Sequence, residues 1–217
     1  MIMKYGVYDV GESPSSLEEY VEGAHIFVLR TPSDYLSTTV SLEDNGWEVR
    51  DCIKIIFEEN SIQAGLFRKP FKGTVASNVI KNGCGGINID ACRVGTIVQD
   101  TSKNGRGADK HKSTIYESGL KKDFEGKITV GRFPANLILS PYASKLMDEQ
   151  APVAGNLFKA QRKKDTSGGS GVSWTNGGKE AGEGNGHYDE PGGASRFFFR
   201  FEDREEMMEY LETMIRC

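Results

Sequence analysis

The run Ala24-His25-Ile26-Phe27-Val28-Leu29, followed by the break Thr31-Pro32-Ser33-Asp34, decides the fold of this chain. A compact apolar run that ends at a polar, proline-containing break is typical of a buried β-strand entering a helix, because the break supplies an N-cap. We expect the helix to run from Pro32 to Asp44 and to stop at Asn45-Gly46. Five of its residues are expected near the inner face: Tyr35, Leu36, Thr39, Val40 and Leu42.

Two further strands are predicted after this helix. Residues 47–57 are β-branched and aromatic with partial alternation, and residues 64–68 form a shorter stretch of the same kind. The order strand, helix, strand, strand indicates an α/β protein.

The second half of the chain alternates between ordered and polar stretches. Strands are predicted at 131–139 and at the phenylalanine-rich 196–201, and helices at 141–150, capped by Ser140, and at 204–215. The last helix is expected to pack into the core through Met207, Met208, Leu211 and Met214. Residues 96–127 are polar and are predicted to be loop, and 165–193, with ten glycines, to be a flexible glycine-rich loop.

Charge is distributed unevenly along the 217 residues. Residues 1–60 carry 4 Lys and Arg against 12 Asp and Glu, residues 61–141 carry 13 against 6, and residues 201–217 carry 2 against 6. A basic middle between acidic ends favours a phosphate-facing surface, although a solvated lysine-rich loop would give the same count.

Composition excludes several classes of protein. The chain has no run of 18 apolar residues and no signal peptide pattern, so we expect an intracellular protein without a membrane span. Its four cysteines are too few for a disulfide scaffold, and the spacing of Cys84 and Cys92 is poor for zinc. No metal site is expected.

Four short phrases carry the strongest functional signal. They are Gly73-Thr74-Val75-Ala76-Ser77-Asn78-Val79, Gly86-Ile87-Asn88-Ile89-Asp90-Ala91-Cys92-Arg93-Val94-Gly95, Gly131-Arg132-Phe133-Pro134-Ala135-Asn136-Leu137-Ile138-Leu139 and Gly193-Ala194-Ser195-Arg196-Phe197-Phe198. Their residues, order and spacing resemble those of phage- and prophage-type DNA methyltransferases, which modify N6 of adenine or N4 of cytosine. The resemblance covers roughly residues 24–210.

The resemblance implies a partial Rossmann-like methyltransferase sheet with a large, loop-rich, target-recognition-like insertion. Residues 1–72 and 128–217 would form the α/β core, and 73–127 the basic insertion. Arg50-Asp51 and Lys69-Pro70 stand where the family has the same pairs. Leu29-Arg30-Thr31-Pro32 stands where the family has a glycine-rich turn.

The chemical motifs of the family are missing from this sequence. It contains no (Asp/Asn/Ser)-Pro-Pro-(Tyr/Phe) turn and no Phe-x-Gly-x-Gly cofactor loop. Ser140-Pro141-Tyr142 is one proline short of the catalytic turn and is interpreted as a helix cap. We therefore expect no catalytic residues and no cofactor, unless a second subunit supplies the missing motifs and S-adenosylmethionine is bound.

Nucleic-acid contacts are predicted in the basic insertion and just after it. Arg93 would contact a phosphate or a base edge, or would form a salt bridge to Asp90 instead. The predicted contact residues are Arg93, Lys103, Arg106, Lys110, Lys112, Lys121, Lys122 and Arg132. Binding through such residues should weaken steeply as salt rises.

Three functions are compatible with this sequence. The first is a non-catalytic, methyltransferase-related protein that binds double-stranded DNA or a protein partner. The second is one subunit of a split methyltransferase, and the third is a phage protein that engages host restriction or defence machinery through its acidic ends. A phage origin would place it in the cytoplasm of the bacterial host. An incomplete sheet also predicts an unpaired edge that a second copy or another protein covers.

Overall fold

The computed structural model describes residues 2–14, 16–100, 128–151 and 192–216. Within these ranges no helix has the length and apolar character needed to cross a membrane. The predicted loop at 101–127 lies outside the described residues, as does the glycine-rich segment apart from Gly192 and Gly193.

The described residues form eight strands and four α-helices. The strands are β1 (Met3–Tyr8), β2 (Tyr20–Arg30), β3 (Glu48–Ile56), β4 (Ser61–Arg68), β5 (Val94–Asp100), β6 (Ile128–Arg132), β7 (Leu137–Leu139) and β8 (Phe199–Arg200). The helices are α1 (Pro32–Asp44), α2 (Val75–Asn82), α3 (Pro141–Gln150) and α4 (Arg204–Ile215).

Six strands form one mixed sheet in the order β1-β2-β4-β3-β7-β8. β4 runs antiparallel to both neighbours, β2 and β3, whereas the pairs β1/β2, β3/β7 and β7/β8 are parallel. β5 and β6 form a separate antiparallel ladder. The protein is therefore a mixed α/β protein, as the sequence predicts.

β2 is buried on both faces, which explains its unbroken apolar run. Phe27 and Leu29 belong to a core that includes residues of β3, β4 and α4, while Ile26 and Val28 belong to a second core with Trp47. Residues 26–29 of the apolar run therefore contribute to both cores.

Most of the predicted elements are confirmed. α1, α3 and α4 have the expected bounds, and Gly46 follows the C-cap of α1 with a φ of 89°. The predicted inner face of α1 is partly wrong, because Leu36 and Val40 are 72% and 57% exposed. Each follows a half-buried residue by one position, and one position rotates a side chain by about 100° around a helix.

Three parts of the second half differ from the predictions. Thr96–Asp100 belong to β5 rather than to a loop, and the strand predicted at 131–139 is interrupted at 133–136. The strand predicted at 196–201 is mainly a 3₁₀ helix, Ala194–Phe197, followed by the two-residue β8. β1 and α2 were not predicted.

Candidate nucleic-acid interface

The first phrase, residues 73–79, attaches α2 to the start of β2. Thr74 and Ser77 form a capping box at the helix start. Asn78 is buried, and its amide donates to the carbonyl oxygens of Glu22 and Cys84, both at 2.8 Å. A side chain at Gly23 would place its Cβ 2.2 Å from that amide nitrogen, so the glycine permits the close approach.

The second phrase, residues 86–95, attaches to α4. The backbone N–H of Asn88 donates to the Met214 carbonyl at 2.8 Å, and the Tyr210 hydroxyl donates to the Cys92 carbonyl at 3.1 Å. Burial raises the pKa of the Cys92 thiol to about 11, so this cysteine is a core residue and not a nucleophile. These two hydrogen bonds hold Asn88 and Cys92 against α4. Arg93 follows Cys92 directly and precedes the first residue of β5.

The third phrase brings Arg132 next to Arg93. Arg132 is the register partner of Val94, and a guanidinium nitrogen of Arg93 donates to the Gly131 carbonyl at 3.4 Å. A Cβ at Gly131, whose φ is 84°, would lie 2.8 Å from the Arg93 Cβ. Arg93 also bonds to Asp90, with Nε to Oδ1 at 2.9 Å, which is the salt bridge considered from the sequence.

The fourth phrase adds an aromatic ring that two guanidinium groups contact. The guanidinium carbons of Arg132 and Arg196 lie 4.7 Å and 4.4 Å from the centroid of the Phe197 ring. Arg196 is positioned by Ser195, whose N–H and hydroxyl donate to the two carboxylate oxygens of Asp148 at 2.8 Å and 2.7 Å. These bonds, the backbone N–H first, lower the pKa of Asp148.

Three arginines from three phrases thus gather near one end of the β5–β6 ladder. Guanidinium forks suit phosphate oxygens in particular. At the other end of the ladder Asp100 pairs with Ile128, and residues 101–127 connect the two strands with 7 Lys and Arg against 4 Asp and Glu. Six predicted contact residues lie in that connection, outside the described residues: Lys103, Arg106, Lys110, Lys112, Lys121 and Lys122.

Sequence reasoning named Arg93 and Arg132 as candidate contact residues and did not name the neighbouring Arg196 and Phe197. The four phenylalanines favoured a strand over 196–201, which would have pointed Arg196 and Phe197 to opposite faces. The turn-forming Gly193-Ala194-Ser195 just before them is the signal that could have indicated a change of direction.

A buried arginine occupies the turn after β2. Arg30 is buried there, and its five N–H groups have five acceptors: Thr38 Oγ1, Ser13 Oγ and the carbonyls of Asp9, Leu29 and Glu12. The guanidinium therefore holds the loop that follows β1 against the turn after β2. Ser140 caps α3 through the Ala143 N–H, as expected for a structural role.

The acidic C-terminal helix α4 and the strand β1 border a groove. Its volume is about 750 Å³. Tyr5, Val7 and Met208 form part of its lining, and the rest is one cation, Arg216, which pairs with Glu212, and five carboxylates: Asp203, Glu205, Glu206, Glu209 and Glu212. Arg204 pairs with Asp9 nearby and holds the pKa of that carboxyl below its usual value.

No protein-family model, no curated protein and no solved structure matches this chain.

Proposed function

We propose that this protein is a DNA-methyltransferase-related protein that binds double-stranded DNA through a target-recognition-like region and does not itself transfer methyl groups. The observation that carries the proposal is the gathering of Arg93, Arg132 and Arg196 at the β5–β6 ladder. The same ladder bears the basic connection 101–127. A two-stranded ribbon fits the major groove of B-DNA, and arginines beside it would position the backbone.

The energetics of such binding are dominated by phosphate contacts. The Asp90 side chain of the Arg93–Asp90 pair is 57% exposed, whereas the Arg93 side chain is 17% exposed. A DNA phosphate would therefore have to reach the Arg93 guanidinium from the side on which Asp90 lies and take the place of that carboxylate. The connection 101–127 would add affinity without sequence choice.

A fluorescence anisotropy titration with a labelled 20-base-pair duplex tests this function. The logarithm of the affinity should fall linearly with the logarithm of salt, and replacing Lys110, Lys112, Lys121 and Lys122 by Gln should reduce the slope by up to about 3.6. Lys145→Gln, an exposed lysine on α3, is the matched control and should leave the slope unchanged. Absence of binding at low salt would reject the proposal.

Calorimetry with S-adenosylmethionine, alone and with the duplex, separates this function from a split methyltransferase. The proposed protein gives no heat with the cofactor but retains salt-sensitive DNA binding. Micromolar binding of the cofactor would favour the split enzyme, in which a second subunit supplies the catalytic turn.

A second candidate, a phage protein that engages a host defence protein, is favoured by the groove between β1 and α4. Its five carboxylates would complement a basic partner surface and repel DNA. If the double variant Glu205→Gln/Glu209→Gln no longer bound the host defence protein, this candidate would be supported. DNA binding by the variant should then equal that of the wild-type protein, or neither should bind DNA. Both side chains are exposed.

A further inference from the structure

β1 is an outer strand of the six-stranded sheet. It pairs with β2 on one side, and no strand within the described ranges pairs with its other side. Residues Met3–Tyr8 also make no backbone hydrogen bond to a turn or loop in this part of the chain. Alternate residues of a strand direct their N–H and C=O groups to opposite edges, so about half of these groups in β1 face away from β2. Such a row of groups is a template for a further strand.

α4 lies along β1 and runs in the opposite direction. At one end Arg204 pairs with Asp9, which follows β1, and at the other end Arg216 contacts Tyr5. The groove between the two elements is lined along the whole of α4, and Tyr5 and Val7 contribute to it from one face of β1. A strand that added to β1 would therefore present every second side chain to α4.

The charges on the two faces of β1 indicate which side chains such a strand would carry. On the α4 face the groove has five carboxylates against one guanidinium. Two of these carboxylates, Glu205 and Glu209, are exposed, lie one helical turn apart and have no ion pair or hydrogen bond with another described residue. On the other face Lys4 is exposed, and a Cβ at Gly83 would lie 2.8 Å from its Nζ. Cations therefore suit the positions that face α4 and are disfavoured at the alternate ones.

We propose that β1 and the groove beside it bind an extended segment of a partner protein in which every second residue is a lysine or an arginine. The segment adds to the sheet through backbone hydrogen bonds to β1, and its cations meet the carboxylates of α4. This proposal rests on the second candidate function of the groove and is independent of the proposed DNA binding. A second copy fits this edge less well, because an antiparallel pair of β1 strands would place two acidic α4 helices on the same face of the joined sheet.

Fluorescence anisotropy of labelled nine-residue peptides with the full chain tests this proposal. One peptide alternates five lysines with four threonines, and its control has the same residues in two blocks. The alternating peptide should bind about 10-fold more tightly, because only its lysines share one face of a strand. The double variant Glu205→Gln/Glu209→Gln should weaken this binding about 5-fold. Glu149→Gln, which removes an exposed carboxylate on α3, is the matched control and should leave the binding unchanged.

Backbone methylation of the alternating peptide distinguishes strand addition from simple attraction between charges. One version is N-methylated at the threonines and another at the internal lysines. Since the N–H groups of alternate residues point to opposite edges of a strand, one of the two versions loses its hydrogen bonds to β1 and should bind at least about 10-fold more weakly. The other version should bind like the unmethylated peptide.

The outcomes separate this inference from the functions proposed above. Equal binding of the two methylated versions would overturn strand addition and leave the groove as a surface that attracts basic partners. Absence of binding by the alternating peptide would also overturn it, as would dimerisation of the protein that this peptide reverses, which would assign the edge to a second copy. Failure of the wild-type protein to bind duplex DNA would reject only the DNA-binding function. If the double variant failed to fold by circular dichroism, the methylated peptides with the wild-type protein would still decide.

Discussion

Lowering the pH from 7 to 4 is expected to destabilise the protein through a single buried residue, His25. This histidine is 2% exposed in the middle of the sheet, and its Nδ1 has no hydrogen-bond partner among the described residues. It occupies a cross-strand row in which Tyr5 and Arg68 are its register partners. Burial, reinforced by Arg68 and Arg50 and opposed by Glu48, lowers the pKa of His25 from 6.5 to about 4.

The size of the effect follows from this shift. Below pH 6.5 the unfolded chain takes up a proton at His25 that the folded protein refuses, so stability is complete above that pH and falls as the pH drops towards 4. A shift of about 2.5 pKa units at about 1.4 kcal/mol each corresponds to a loss of about 3 kcal/mol. Below pH 4 both states are protonated and the loss no longer grows.

Urea unfolding at pH 7, 6, 5 and 4.5, followed by the fluorescence of the buried Trp47, would measure this loss. His25→Leu should remove most of the decline. Ile53→Val is the matched control, because it removes a buried methyl group, lowers stability by about 1 kcal/mol and should keep the wild-type pH dependence. If His25→Leu lost as much stability between pH 7 and 4.5 as the wild type, the reasoning would be refuted.

Three further changes should alter stability in calculable ways, each measured by urea unfolding. Asn78→Ala removes the amide that donates to the carbonyls of Glu22 and Cys84 and should cost about 2 kcal/mol, whereas the exposed Lys81→Ala should cost less than about 0.5; equal effects would contradict the contact. Asp148→Ala should cost about 1–2 kcal/mol at pH 7 and progressively less as the pH falls below 3.8, because the lowered pKa contributes its full stability above 3.8 and loses it as the pH falls through the pKa of the folded state; Glu149→Ala is its exposed control. Gly131→Ala should cost about 1–3 kcal/mol and weaken DNA binding, since φ is 84° and the new methyl would lie 3.0 Å from a backbone oxygen; a neutral result would mean that the ladder is not rigid there.

Local signals in the sequence predicted the elements whose ends are encoded nearby. α1 has Pro32 in its first turn and Gly46 after its C-cap, and α3 has the Ser140 cap. Each of these signals acts within a few residues, so a reader of the sequence needs no knowledge of the fold to use it.

Elements that depend on distant partners were predicted poorly. The phenylalanine-rich composition of 196–201 indicated a strand, but Asp148 binds Ser195, 47 positions away in the chain, and stabilises a 3₁₀ helix. Thr96 to Asp100 were predicted as loop together with the polar stretch that follows them, and their strand conformation depends on pairing with β6 beyond residue 127. The exposure of Leu36 and Val40 depends on which side of α1 meets the sheet.

The sequence alone determined the α/β class, the two-sided burial of β2 and the bounds of α1, α3 and α4, because hydrophobic periodicity and helix caps act over one or two turns. It also identified Arg93 and Arg132 as candidate contact residues. Only the tertiary structure decided that these two arginines adjoin each other and share the ring of Phe197 with Arg196, and that Phe133 points into solvent. Strand register and packing join residues that lie far apart in the chain, and no local pattern specifies which of the many possible pairings has the lowest free energy.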